Sequence, residues 1–167
     1  MSLLDVPQEK IEGDIPLEVF KNRFPNWPQK GEISFNNVIL RYRPDMEVVL
    51  NKLSFDVKAG EKIGVVGRTG AGKSTICLSL SRIVDIIEGA IMIDNIEVRA
   101  VHLDYLRSMI TVIPQDPAMF TGTLRFNLDP KGIYTNQRII EVLQAAKLDS
   151  LLQKDPLGLD QDISESG

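Results

Sequence analysis

Residues 64–80 read GVVGRTGAGKSTICLSL, which is a short apolar run followed by a glycine-rich loop and a helix-like pattern. Within this stretch, residues 67–74 fit the pattern G-x-x-x-x-G-K-[ST] between a predicted strand and a predicted helix. Glycines let the backbone curl so that successive N–H groups converge on one anion, and the positive end of the following helix faces the same anion. The stretch therefore predicts a loop that holds the phosphates of a nucleoside triphosphate.

The side chains of this glycine-rich loop have separate predicted roles. Lys73 can reach the β- and γ-phosphates, and the hydroxyl of Ser74 is a ligand for Mg²⁺. The residues predicted to contact the nucleotide here are Gly67, Arg68, Thr69, Gly70, Ala71, Gly72, Lys73, Ser74 and Thr75. A guanine-binding N-K-x-D would follow the loop, whereas the NKLS at 51–54 precedes it and has no aspartate.

The composition is that of one globular domain of 167 residues, with 43% hydrophobic and 25% charged residues. A net charge of -4 argues against a nucleic-acid partner, so any bound anion must be held locally. The single cysteine, Cys77, cannot form an internal disulfide, which favours a reducing setting, and we expect its thiol to be buried. No apolar stretch is long enough to span a membrane.

Proline and charge mark residues 1–30 as a linker or arm, with one helical turn around 16–24. From residue 31 the pattern becomes that of a folded domain, which we expect to cover 31–167. Alternation predicts strands at 32–42 and 50–57.

Further elements follow along the chain. The apolar segments 62–67 and 110–115 are predicted to be buried strands, and 73–84 a helix of about three turns. Residues 89–98 predict a strand pair that turns at Asp94 and Asn95. Finally, 102–109 predicts a short helix, and 136–152 a longer one with apolar residues at helical spacing.

Strands that alternate with helices around a glycine-rich loop define the predicted fold class. It is an α/β fold with the core of a P-loop NTPase, an added antiparallel β subdomain, and the start of a helical subdomain.

Two further stretches, 38–67 and 108–130, narrow the class of protein. The second contains IPQDPAMFTGTLRFNLDP, a long and specific pattern. With these segments the chain resembles the ATP-binding domain of an ABC transporter, specifically the second such domain of the C subfamily, the multidrug-resistance-associated proteins. The resemblance runs from about Trp27 to Gly167 and implies that the ligands are ATP and Mg²⁺.

The resemblance assigns roles to matching residues. Tyr42 falls where the family places an aromatic ring that stacks on adenine, which suits the π-face of a base. Gln115 matches the glutamine that touches Mg²⁺ and the attacking water, so Gln115 and Lys73 are the predicted catalytic residues. Residues 116–120 lie where the family couples the ATP domain to its membrane partner. The implied partners are the transmembrane domains of the same transporter and a second nucleotide-binding domain across an ATP sandwich, at the cytoplasmic face of a membrane.

The resemblance also implies parts that these 167 residues do not contain. The family uses an L-S-x-G-Q signature, an apolar strand ending in a metal-binding aspartate, a catalytic glutamate and a histidine sensor. The chain ends in DISESG, which resembles the segment that leads into that signature, so we expect a truncated domain. We therefore expect the chain to bind ATP without hydrolysing it.

Two other functions remain open at this point. A nucleotide-gated regulatory domain of a channel or receptor would bind ATP without turnover, and a glutamate after the apolar strand would favour the motor over this regulator. A small-molecule or nucleoside kinase shares the glycine-rich loop, but the sequence shows no acceptor site and no arginine-rich lid.

Overall fold

The computed structural model describes residues 15–115 and 118–164. The chain divides into two compact units, with the boundary between Val112 and Ile113. The expected linker or arm at 1–30 falls within the described residues only from Ile15 onward. Of the residues expected to couple to a membrane partner, Asp116 and Pro117 lie outside the described residues.

A four-stranded antiparallel sheet forms the centre of the first unit. Its strands are β1 (Ile33–Leu40), β2 (Leu50–Val57), β3 (Glu88–Ile93) and β4 (Ile96–Glu97), in the spatial order β2-β1-β3-β4. β2 has the predicted bounds, β1 lies within its predicted range, and β3 and β4 form the predicted hairpin. The turn residues Asp94 and Asn95 have φ values of 48° and 61°, which is the left-handed conformation of a tight hairpin turn. The structure confirms the added antiparallel sheet.

The helices of the first unit are α1 (Leu17–Arg23), α2 (Lys73–Leu80) and α3 (Leu103–Met109). A short 3₁₀ turn, Val98–Ala100, precedes α3. α1 is longer than the single turn predicted, because Phe20 enters the core and fixes the helix there. The buried core of this unit consists of Phe20, Trp27, Phe35, Val38, Leu40, Leu50, Ile91, Ile93, Val98, Val101 and Leu106.

The packing of α2 on this core positions the glycine-rich loop that precedes it. Ile76 and Leu80 of α2 are partly buried against the core cluster. At the other end of the helix, Arg107 donates from Nε to the Ser81 carbonyl at 3.1 Å and from Nη2 to the Arg82 carbonyl at 2.9 Å. A cation at the carbonyl end of a helix interacts favourably with the helix dipole, so Arg107 stabilises the C-terminal end of α2.

The two predicted buried strands at 62–67 and 110–115 are wrong for this structure. Among the described residues neither segment has a strand partner, and the side chains of Val66 and Ile113 are 97% and 89% exposed. The apolar pattern of a central strand is present in both segments. A strand forms only when neighbouring N–H and C=O groups satisfy its own, and no described strand lies beside either segment.

Within residues 113–115 and 118–164, the second unit contains three α-helices and a small two-stranded sheet. The helices are α4 (Leu124–Leu128), α5 (Asn136–Ala145) and α6 (Ser150–Lys154), and β5 (Gly122–Thr123) pairs with β6 (Asp162–Ile163). A 3₁₀ turn, Gly158–Asp160, lies between α6 and β6. The threonines that precede α4 and α5 accept hydrogen bonds from backbone N–H groups of the first turn. The core of this unit consists of Leu124, Ile139, Leu143 and Leu159.

Asp94 ties the residues after α1 to the β3–β4 hairpin. Its carboxylate accepts hydrogen bonds from the backbone N–H groups of Gln29 at 2.6 Å, Lys30 at 2.9 Å and Glu32 at 2.9 Å. Partial burial raises the pKa of Asp94, but hydrogen bonds from the backbone of residues 29–32 lower it more, so the pKa lies below the ordinary 3.8.

Replacing Asp94 should make stability less sensitive to acid. Because the folded pKa is below the unfolded pKa, the charged Asp94 stabilises the fold above about pH 4, and this contribution is lost as the pH falls through the folded pKa. We expect Asp94→Asn to lower the free energy of unfolding by about 1–2 kcal/mol at pH 7 and by less at pH 3. Urea unfolding at both pH values measures the two differences.

The matched control is Asp45→Asn, in an exposed segment between β1 and β2. This control should change stability little at either pH. Equal losses for Asp94→Asn at pH 7 and pH 3 would contradict the assigned role of the carboxylate.

Candidate nucleotide-binding site

The glycine-rich loop, residues 67–74, has the backbone conformation that its glycines permit. Gly70 and Gly72 have φ values of 82° and 83°, in the left-handed region that other residues rarely adopt. The N–H of Ala71 donates to the carbonyl of Arg68 at 3.1 Å, which closes a turn within the loop. Gly72 ends the loop as the residue directly before α2.

Gly72 also lies against the start of β2. A Cβ at Gly72 would be 3.0 Å from Cδ2 of Leu50 and 3.3 Å from the carbonyl oxygen of Val49. Gly72 is therefore required for close approach as well as for its φ value. This contact places the N-terminal end of α2 against the antiparallel sheet.

The side chain of Lys73 folds back over the start of the loop. Its Nζ donates to the carbonyl of Gly67 at 2.7 Å and to that of Arg68 at 2.8 Å. An ammonium group has three N–H donors, so these two bonds leave one for a phosphate oxygen. The positive charge is held at the loop by two backbone contacts before any ligand arrives.

The first turn of α2 offers further N–H donors and a hydroxyl group. The first N–H groups of an α-helix have no partner within the helix, and the helix dipole places positive charge at the same end. The side chain of Ser74 is exposed there and makes no hydrogen bond with the residues that the structure describes. A free hydroxyl beside unpaired N–H groups and a fixed ammonium fits a phosphate chain with its Mg²⁺.

Tyr42 lies next to α2, although 33 residues separate it from Thr75. Its hydroxyl is 2.8 Å from Oγ1 of Thr75, and either oxygen can be the donor. The Tyr42 side chain is 45% exposed, so part of its ring is open to a flat partner. The structure thus places Tyr42 beside α2 with part of its ring exposed, and its predicted stacking on adenine stays a prediction.

Gln115 and the loop belong to different compact units. Gln115 is exposed, in an irregular segment of the second unit. The structure brings together Tyr42, residues 67–74 and Thr75, all in the first unit, while the predicted role of Gln115 stays a prediction.

One sequence-based expectation near the site is wrong. Cys77 is exposed rather than buried, because α2 presents Ile76 and Leu80 to the core and leaves Cys77 on another face. One contact was missed from the sequence, namely the hydrogen bond between Tyr42 and Thr75. No sequence signal pointed to that contact, since the two residues are distant in the chain.

Asp94 also bears on the search for a metal-binding aspartate, because it directly follows the apolar strand β3. Three backbone N–H groups already bind its carboxylate. Asp94 is therefore a structural residue. Among residues 15–115 and 118–164, no group of three His, Cys, Asp or Glu side chains is placed to hold a metal ion.

A loop with the pattern G-x-x-x-x-G-K-[ST] that leads into a helix, with an aromatic ring beside it, is typical of nucleotide-binding P-loop proteins. The family model described as ABC transporter matches residues 50–165. The chain belongs to the ABC transporter family. Its sequence is that of a C-subfamily nucleotide-binding domain, as its relatives show.

ATP-binding cassette sub-family C member 3 of Rattus norvegicus is 46% identical over 159 residues, which are 95% of this chain and 10% of that protein. Multidrug resistance protein mrp-7 of Caenorhabditis elegans is 49% identical over 158 residues, again 95% of this chain and 10% of that protein. The chain thus spans about a tenth of the length of these curated relatives.

A solved structure, that of a bacterial Atm1-family ABC exporter with ATP bound, is similar with a TM-score of 0.76 and 31% sequence identity. The similarity covers 82% of this chain and 24% of that one. It confirms the predicted fold class, an α/β nucleotide-binding domain of the ABC type present in part. Within the described residues, no helix is long and apolar enough to cross a membrane.

Proposed function

We propose that this chain binds Mg²⁺-ATP at the glycine-rich loop, as part of the motor domain of an ABC transporter. The observation that carries the proposal is the ammonium of Lys73, bonded to the carbonyls of Gly67 and Arg68 at 2.7 and 2.8 Å. These bonds fix one positive charge where backbone N–H groups and the end of α2 also favour an anion. The solved exporter with ATP bound supports ATP as the ligand.

In this proposal, the residues of the site contact different parts of the nucleotide. Lys73 and the N–H groups of residues 70 and 72–74 hold the phosphates, Ser74 ligates Mg²⁺, and Tyr42 stacks on adenine. Mg²⁺ neutralises phosphate charge when it is bound. Gln115 is the proposed second contact to the metal and to water.

In the whole protein, ATP binding would join this domain to a second nucleotide-binding domain, and the transmembrane domains would respond. The relatives support this proposal because they are members of ATP-binding cassette sub-family C, and this chain covers 10% of each of them. The polypeptide of residues 1–167 alone is proposed to bind ATP without cleaving it.

Substitution of Lys73 and of Ser74 separates the two phosphate-site roles. Lys73→Ala should weaken ATP about 10- to 150-fold, with or without Mg²⁺, because it removes a charge-assisted hydrogen bond. Ser74→Ala should weaken ATP only when Mg²⁺ is present, because its hydroxyl acts through the metal. Titration calorimetry with MgCl₂ and then with a chelator measures the four affinities.

Lys62→Ala is the matched control, since Lys62 is an exposed lysine in the segment before the loop. It removes the same charge and should leave ATP affinity nearly unchanged. If Lys73→Ala and Ser74→Ala lost affinity equally in the chelator, the division of roles would be wrong. If Lys62→Ala weakened ATP as much as Lys73→Ala, general charge would explain the binding.

A further inference from the structure

Tyr42 lies in a segment that packs little against the rest of the molecule. Residues 42–48 are exposed, and the bonds that shape this segment are local ones, from Arg41 to Pro44 and from Met46 to Arg43. A tyrosine in such a segment loses rotational freedom when it stacks on a base. That loss weakens binding unless something already holds the ring.

The residue that bonds to the Tyr42 hydroxyl is Thr75. The Thr75 side chain is 3% exposed, in the first turn of α2, two residues after Lys73. A threonine in a helix uses only two χ1 rotamers, and the Thr75 side chain is buried, so Oγ1 has few positions open to it. The hydroxyl of Tyr42 reaches this oxygen at 2.8 Å while 45% of the Tyr42 side chain remains exposed.

We propose that Thr75 is a positioning residue for base recognition. Its hydroxyl fixes the ring of Tyr42, so that the helix carrying the phosphate-binding groups also sets the place of the adenine contact. This inference rests on the proposed ATP binding and goes beyond it, because it gives Thr75 a role toward the base. A hydroxyl that only contacted phosphate would have no effect specific to the base.

A role toward the base can be separated from a role toward phosphate with two ligands that both contain a triphosphate chain. These are Mg²⁺-ATP and Mg²⁺-tripolyphosphate, and the second has no base. Thr75→Val keeps the shape of the side chain and removes the hydroxyl, and Tyr42→Phe removes the other partner. Each variant should weaken ATP about 2- to 10-fold more than it weakens tripolyphosphate, a difference that is the usual effect of one hydrogen bond. Thr75→Ser, which keeps a hydroxyl, should restore ATP affinity.

The double variant supplies the test of coupling. If both residues act through one bond, Tyr42→Phe with Thr75→Val should weaken ATP no more than either single change. Tyr42→Ala removes the ring itself and should cost more, about 5- to 150-fold for ATP. Titration calorimetry gives all the affinities, and circular dichroism confirms that each variant is folded.

Three results would overturn the inference. Equal losses of ATP and tripolyphosphate affinity in Thr75→Val would mean that Thr75 acts on phosphate alone, and unchanged ATP affinity in Tyr42→Phe would mean that the bond does not position the ring. Additive losses in the double variant would mean that the two hydroxyls act separately. A failure of the proposed function would look different, since the unmodified chain would then bind neither ATP nor tripolyphosphate.

Discussion

A polypeptide of residues 1–167 is expected to bind ATP and to release phosphate no faster than a background control. Phosphoryl transfer in P-loop enzymes depends on positioning and on charge stabilisation around the phosphate. This polypeptide contains the loop, Lys73, Ser74 and Gln115, but no L-S-x-G-Q signature. Nor does the sequence offer a histidine after Gln115, since His102 is its only one.

The expected loss of rate is several powers of ten relative to a complete site, and the losses of single groups need not add. The measurement is phosphate release at saturating Mg²⁺-ATP, with the binding confirmed by calorimetry on the same sample. Lys73→Ala is the background control, because any true turnover at this loop requires the lysine. A rate above background that disappeared in Lys73→Ala would contradict the prediction and would show that an undetected group is catalytic.

The glycine-rich loop could be located from the sequence because its chemistry is local. The two glycines with positive φ, the lysine that begins α2 and the serine after it lie within eight consecutive residues. β2 was predictable for a related reason, since its alternating pattern begins and ends within one strand. In both cases the signal and the structure occupy the same short segment.

The segments 62–67 and 110–115 show where such prediction stops. Their apolar residues have the pattern of central strands, but a strand depends on partners that the segment itself does not specify. In the described structure these partners are absent, and the side chains of Val66 and Ile113 face solvent. An exposed apolar segment of this kind is prone to associate with another strand.

The predicted C-terminal ends of two helices were also wrong, for a different physical reason. The predicted helices 73–84 and 136–152 end early because Arg82 and Lys147 adopt left-handed φ values of 51° and 61°. After each helix, a backbone N–H bonds five residues back, from Ile83 to Leu78 and from Leu148 to Leu143. Glycine is the usual residue at such a position, so an arginine or lysine there gives no warning in the sequence.

The site itself was predicted residue by residue, while its internal contacts were not. The loop residues and Tyr42 came from motif and resemblance, and the structure places them in one unit. The bond between Tyr42 and Thr75 depends on where the segment after β1 lies relative to α2, which no local pattern encodes. Gln115 lies in the other compact unit, so its role depends on an arrangement that local pattern does not supply either.

Gly89→Ala is expected to have the largest effect on stability of any change discussed here. Gly89 lies in β3 with a φ of 84°, opposite an irregular part of β1 where the register shifts between Asn36 and Ile39. A Cβ at Gly89 would overlap the carbonyl oxygens of Asn36 and Asn37, the latter at 2.5 Å. These are backbone atoms at the centre of the sheet, so β1 and β3 would have to separate.

The expected cost has two parts. A left-handed conformation costs a residue with a Cβ about 1–2 kcal/mol, and overpacking a well-packed site costs about 1–3 kcal/mol more. Together they predict a loss of about 2–5 kcal/mol, against a total stability of about 5–15 kcal/mol for a typical domain.

Gly60→Ala is the matched control, because Gly60 has a φ of 69° and open space around its Cβ position. Urea unfolding of the three proteins should show that Gly60→Ala incurs only the conformational part, while Gly89→Ala loses clearly more or does not fold. Equal stability of the two variants would mean that β1 yields to the methyl group at no cost, and that the close approach of Gly89 to Asn36 and Asn37 does not constrain the sheet.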